Sequence, residues 1–380
     1  MNVQATRFEM NLTPWMEKTE RAARKIEEAA AQADKDETFV SAGFTLLRDE
    51  GFFKAHVPVE LGGHGLSYGE LCAIVRRLGS ACGSTALAFS MHCHLVAVAA
   101  WRWQHEKAPT DGLLRRVASE NLILVSSGGS DWLKGSGEAV KVDGGYRVTA
   151  RKIFSSGSPM GDLLVTSAVH QDAQAGPTVL HFGVPFKAEG VKRLDTWHVM
   201  GMRGTGSHDV ELNNVFVPDG AISGRRPQGK WHPLFHAISM LAFPLIYSAY
   251  MGIADGARAK AIGAAARKPD DGQTCLIAGE LENAHAAGDI ALADMIRIAE
   301  TRKPSPETTS HSMIRRTLVE KAAIATVERA MMLAGGASFY TGFGLERAFR
   351  DVQAARFHPL QEKPQLRYSG RHALGLDIDG

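Results

Sequence analysis

The stretch Trp197-His198-Val199-Met200-Gly201-Met202-Arg203-Gly204-Thr205-Gly206-Ser207-His208-Asp209-Val210, running on to Asn214-Val215-Phe216-Val217-Pro218, places a glycine-dense turn ahead of a short β-prone run. The glycines permit a tight, close-packed turn, Arg203 and Ser207 supply polar anchors, and Pro218 removes the N–H that would continue the pairing. Alone, this is a turn feeding a strand; its meaning comes from what flanks it.

Upstream, composition changes near Asn121. Leu122-Ile123-Leu124-Val125, Tyr146-Arg147-Val148, Leu163-Leu164-Val165, Val179-Leu180-His181-Phe182 and Val210-Glu211-Leu212 are β-prone runs separated by glycines, prolines and polar turns. Asp143-Gly144-Gly145 suits a hairpin. These runs predict a small antiparallel barrel or sandwich over 121–225. Before it, 1–120 reads as helical: Thr13-Pro14 starts a helix through Ala33, Gly51, Pro58 and Gly62-Gly63-His64-Gly65 break the pattern, and Tyr68 to Trp103 resumes it. After it, in 226–380, Ala237 to Ala266, Leu276 to Glu300, Ser312 to Leu333 and the shorter Leu345 to Ala355 carry apolar residues at helical spacing, which predicts an up-and-down bundle. The fold class expected is α+β: helical domain, β domain, helical bundle.

Composition narrows the function. The 380 residues exceed what one core usually serves, so two or three packed domains that can bury a large cofactor are expected. A formal charge of +2 argues against a nucleic-acid partner. No uninterrupted apolar run reaches the roughly 20 residues of a membrane helix, and the first residues lack a secretory pattern, so no membrane partner and a cytoplasmic location are expected. Cys72, Cys82, Cys93 and Cys275 offer neither a disulfide framework nor a metal site, and all four read as buried thiols.

The opening stretch resembles the end of the β domain of acyl-CoA dehydrogenases. Val57-Pro58 with Gly62-Gly63-His64-Gly65 is similar to that family's N-terminal loop, Gly129-Ser130-Asp131 to its first β-domain loop, and Leu345-Glu346-Arg347-Ala348-Phe349-Arg350-Asp351 to its last bundle motif. The resemblance spans nearly the whole chain. It implies FAD at the junction of β domain and bundle, a homotetramer or dimer whose subunits share the cofactor site, and a small-molecule substrate such as acyl-CoA. Lys152-Ile153-Phe154-Ser155-Ser156-Gly157 matches the flavin-facing segment, with Phe154 where dehydrogenases usually have Trp, as in the flavin monooxygenase branch. Phe154 and Ser156 are thus expected cofactor contacts, Ser126 and Ser127 hydroxyl contacts to the flavin edge or phosphate, and Ser130 a substrate contact. At the adenosine end Gly335 and Gly336 are retained, but Met332 replaces the family Gln. Arg267 is the candidate for the pyrophosphate.

Dehydrogenation of an acyl thioester needs a base for the α-proton while hydride leaves to the flavin. The family Glu-Gly-Thr is absent; the chain reads Arg356-Phe357-His358-Pro359-Leu360-Gln361-Glu362-Lys363. Glu362 is the carboxylate candidate if the loop carries a short insertion, and it competes with reading as a solvated loop charge. Histidines suggest the alternative: related monooxygenases receive reduced FMN or FAD from a reductase, bind oxygen and pass one atom to substrate, where a histidine can hold or donate a proton. His358 and His92 would serve there, with His94 against substrate, although His92 and His94 cannot share a helix face. The primary expectation is an acyl-CoA dehydrogenase, paired with an electron-transfer flavoprotein. The alternatives are the two-component monooxygenase with its flavin reductase, and a non-catalytic flavoprotein scaffold.

Overall fold

The computed structural model describes residues 13–127, 132–266 and 271–380. The chain runs helices, then sheet, then helices. Helices α1 (Pro14–Lys35), α2 (Ser41–Asp49), α3 (Tyr68–Ala81), α4 (Gly83–Glu106) and α5 (Asp111–Glu120) precede strands β1 (Leu124–Ser126), β2 (Glu138–Val142), β3 (Gly145–Lys152), β4 (Leu163–Asp172), β5 (Gly176–Pro185), β6 (Val191–Arg193), β7 (Val210–Pro218) and β8 (Ile222–Pro227). Helices α6 (Pro233–Ala265), α7 (Gly272–Thr301), α8 (Pro306–Ala334), α9 (Leu345–Val352) and α10 (Glu362–Ala373) follow. The helix starts are written locally: Thr13 accepts the Met16 N–H ahead of Pro14, and Ser67 with Glu70 forms a reciprocal capping box.

The sheet order is β6-β7-β3-β2-β4-β5-β8, with β1 beside β4. Most pairs are antiparallel as expected, but β1–β4 and the single β2–β4 bridge are parallel, and β8 continues the sheet beyond Pro218. Leu180, Phe182 and Val184 of β5 and Val148 of β3 bury an apolar core of the β domain's own. The alternate residues of β5, among them His181, face the other way, toward the helices.

α4 and α6 are each long and apolar enough to cross a membrane, although polar residues interrupt both. In this fold 89% and 94% of their most apolar stretches are buried by protein, because both run through the core shared by the N-terminal helices and the bundle. The α3–α6 crossing is so close that a Cβ at Gly252 would stand 2.1 Å from the Arg76 carbonyl oxygen. Cys72, Cys82 and Cys93 are buried; Cys275, contrary to expectation, is exposed. No metal-ligating cluster occurs among the described residues.

The two segments most telling in the sequence meet in space. Asp351 of α9 accepts the Met202 N–H, Arg350 donates to the Met200 carbonyl 3.0 Å away, and a Cβ on Gly201 would lie 2.2 Å from the Arg350 carbonyl. Arg350 is itself held by Asp34 and Glu346. The bundle is thereby fastened to the loop that closes the β domain.

Candidate active site

A cleft of about 600 Å³ lies where α4, the β domain, α6 and the segment after α9 converge. Its wall is mainly apolar, and no carboxylate lines it among the described residues. Among the described residues the only charged side chain on the wall is Arg350, already paired.

At the end of β3, Phe154 adopts φ +59°, a conformation unusual for a bulky residue and worth attention at a site. Its ring is half exposed to the cleft and meets Trp197 edge to face at 6.0 Å. Beside it runs a chain of hydroxyls: Ser156 Oγ to Ser207 Oγ at 2.7 Å, Ser207 Oγ to Thr205 Oγ1 at 2.7 Å, and Thr205 donating to the Met202 carbonyl at 2.9 Å. Because Thr205 has spent its proton, Ser207 donates to Thr205 and Ser156 to Ser207, so Ser156 offers the cleft an acceptor. Ser126 and Ser127 also line the wall, and Ser127 Oγ lies 2.6 Å from Thr166 Oγ1.

On the opposite side, the segment after α9 is fixed through its backbone. Arg316, buried in an ion pair with Glu320, donates to the Ala355 and His358 carbonyls at 2.9 and 3.0 Å, and the Tyr247 hydroxyl donates to the Ala355 carbonyl. His358 is thereby held at the cleft with Nε2 2.6 Å from the Tyr250 hydroxyl. Burial drives the Tyr250 phenol well above its ordinary range and, with the Arg316 charge, pushes the His358 imidazole down to about 3. The phenol keeps its proton and has no other acceptor among the described residues, so it donates to Nε2 and leaves the His358 proton on Nδ1. His94 of α4 also lines the cleft, pushed down to about 4 by burial, and its charge would oppose that of His358.

Two expected catalytic residues lie elsewhere. His92 is sealed between domains: its Nε2 donates to the Phe53 carbonyl at 2.7 Å and its Nδ1 accepts the Leu124 N–H at 3.0 Å. With both nitrogens engaged it fastens α4 to the β domain and reaches no substrate space. Glu362 is the first residue of α10, side chain outward and paired with Lys321, whose hydrogen bond and charge hold its carboxyl below the ordinary range. The helix start fixes Glu362 on the surface, which is the bland reading the sequence also allowed. Gly335 and Gly336 follow α8 in the open, away from the cleft wall. Ser130 and Arg267 lie outside the described residues.

The sequence reading missed His181 and Gln353. His181 Nε2 accepts from Arg226 at 3.0 Å, and the Gln353 Nε2 amide is buried on the wall without a partner. No motif flags either; only the alternation of β5 pointed His181 away from the β core.

Comparison with known proteins agrees with this architecture. The chain matches the acyl-CoA dehydrogenase N-terminal domain over residues 17–116, the middle domain over 126–215 and the C-terminal domain over 246–362. Relatives include YdbM of Bacillus subtilis, whose name assigns it provisionally to the acyl-CoA dehydrogenases, 27% identical over 91% of this chain and 92% of its own. The amino sugar nitrososynthase RubN8 of Streptomyces rubradiris is 28% identical over 95% and 89%, and a dibenzothiophene monooxygenase of Rhodococcus qingshengii 26% over 93% and 91%. KijD3, solved with FMN and a dTDP-amino-keto sugar, superposes with a TM-score of 0.89 at 24% identity, covering 97% of this chain and 96% of its own. The expectation of acyl thioester dehydrogenation is overturned: the relatives that match along the whole chain include a nitrososynthase and a monooxygenase, and the cleft presents histidines where that reaction needs a carboxylate. With matches to all three domains in order, the chain belongs to the acyl-CoA dehydrogenase family.

Proposed function

We propose that the protein is a two-component flavin-dependent monooxygenase that places one atom of O2 on an uncharged small organic substrate. The observation that carries this reading is the pair of neutral histidines, His94 and His358, on a cleft wall that lacks any carboxylate among the described residues. The flavin fits the wall: Phe154 offers a flat aromatic face and Ser156 an acceptor for a ring N–H. Reduced flavin, when bound, supplies the two electrons that turn O2 into one inserted oxygen atom and one water.

The chain's own contribution is placement, proton control and dryness. Tyr250 fixes the tautomer of His358, so a proton sits on Nδ1 at the cleft instead of in bulk solvent. The apolar wall excludes water that would divert the oxygen. Reduced FMN delivered by a separate reductase is favoured over resident FAD: KijD3 was solved with FMN, and Met332 stands where the family places an adenosine-binding Gln. Phe339 and Tyr340, exposed beside Gly335 and Gly336, suit a homo-oligomer contact.

The test supplies chemically reduced FMN, isotopically heavy O2 and a panel of neutral aromatic, thioether and amine compounds. One heavy oxygen atom per product molecule is expected. Bleaching of bound flavin by acyl-CoA without oxygen, together with unlabelled products, would sink the reading.

A further inference from the structure

At the β5 end of the cleft, away from Phe154 and Ser156, the wall carries an arrangement that the proposed reaction does not use. His181 on β5 and Ser167 on β4 are direct cross-strand partners, and both line the cleft. Around them stand Trp132 and Phe235, whose rings meet edge to face at 5.0 Å, with His181 itself 6.4 Å from Phe235.

Behind His181 lies Arg226, 2% exposed. It donates to the Trp132 carbonyl at 2.9 Å, to the Leu133 carbonyl at 2.5 Å and to His181 Nε2 at 3.0 Å, and its guanidinium sits 4.4 Å over the Phe235 ring. A guanidinium only donates, so His181 Nε2 must be the unprotonated nitrogen and the ring proton must be on Nδ1. That Nδ1–H has no protein partner among the described residues, and it is not among the buried atoms left unpaired. It therefore meets open space at the cleft. Burial, Arg226 and the more distant charges of His232, Lys152 and Arg102 all oppose a second proton on the ring.

We propose that His181, held by Arg226 as the Nδ1–H tautomer, is a specificity residue that donates one hydrogen bond to an acceptor atom of a neutral ring-bearing substrate lodged against Trp132 and Phe235. The substrate class follows from the wall. Two aromatic rings favour a flat apolar body, the single fixed donor asks for one ring nitrogen, ether or carbonyl oxygen, and no unpaired charge among the described residues would neutralise an acid or an amine cation. Recognition is one-sided: a carbon isostere leaves the donor unsatisfied, which penalises the wrong compound more than the hydrogen bond rewards the right one.

This inference deepens the monooxygenase reading, but its test needs no turnover. In protein with isotopically labelled histidine, the long-range proton–nitrogen NMR pattern of His181, assigned by its loss in His181→Phe, identifies which ring nitrogen carries the proton. Nδ1 is expected; protonated Nε2 overturns the proposal. Quinoline and naphthalene, equal in shape and different by one acceptor, are then titrated while Trp fluorescence is followed. The wild type should prefer quinoline by about tenfold. His181→Phe should abolish the preference with naphthalene affinity little changed, although stranding the Arg226 donor lowers the melting temperature, and His181→Asn should restore part of the preference. Equal binding of the two probes, no binding of quinoline, or a preference that survives His181→Phe would each overturn it. Failure of oxygen insertion with the preference intact would strike the monooxygenase reading alone.

Discussion

The Tyr250 hydroxyl stands 2.6 Å from His358 Nε2, where burial denies both groups a charge. Tyr250→Phe removes the donor that fixes the imidazole tautomer and keeps the ring volume. Product formation should fall roughly tenfold, less than the roughly 10²–10⁴-fold of losing a general acid outright because the imidazole stays in place, while substrate affinity changes less than twofold. Loss of one buried hydrogen bond should lower stability by about 1 kcal/mol. Steady-state rates and urea melts check both, and an unchanged rate would remove His358 from the chemistry.

Acid should loosen the protein before most of its carboxylates titrate. His92 and His94 are pushed down to about 4, and His181 and His358 to about 3, chiefly by burial. Below the unfolded histidine value of about 6.5 the unfolded chain takes up protons that the folded one refuses, so stability falls with pH from there toward the folded values. Each such histidine contributes about 1.4 kcal/mol per pH unit in that window. Asp351 works the other way: burial raises it to about 6, so between its unfolded and folded values it favours the fold as pH falls. Four histidines outweigh one aspartate, and urea midpoints should drop steeply between pH 6.5 and 4. A flat profile there would contradict the burial assigned to these rings.

His92 and Glu362 should separate structure from chemistry. His92→Leu strands the Leu124 N–H and the Phe53 carbonyl and should cost about 2 kcal/mol or more. Rates should fall only with the folded fraction. Glu362→Gln breaks an exposed pair with Lys321, so melting temperature and product formation should both stay near wild type. Thermal melts beside rates at matched folded fraction decide; a large rate loss in Glu362→Gln would restore it as a catalytic candidate.

Phe154→Ala should weaken FMN binding about tenfold through the lost aromatic face. The φ of +59° also strains any residue with a Cβ, so Phe154→Gly should be more stable than Phe154→Ala although both bind flavin poorly. Flavin fluorescence titration and melting curves on the pair check the two effects separately.

Much of this was legible because it is local. Thr13-Pro14 caps a helix wherever it occurs, and the glycines from Gly201 to Gly206 announce a turn that no ordinary side chain would fit. Where a motif singled out residues, the structure puts them on the cleft: Phe154 and Ser156 both lie on its wall. The rest depends on distant partners. Helical geometry allowed only one of His92 and His94 to face the pocket, but which one depended on Phe53 and Leu124, which are remote in sequence. His181 depended on Arg226, 45 positions away, and on the pleat of β5. Glu362 looked available because nothing nearby in sequence said that Lys321 would claim it.

The fastening of Asp351 and Arg350 to Met200, Gly201 and Met202 has a consequence for descent as well as for shape. The loop and the helix motif lie about 150 positions apart, yet neither can drift freely: any side chain on Gly201 strikes the Arg350 backbone, and an apolar residue at 351 strands the Met202 N–H. They are in effect a single heritable module split across two stretches of gene. Chimeras of related chains that cross over between residues 202 and 350 should join well only when both parents carry the same pair, so the seam sets where this chain can be recombined without loss of its fold.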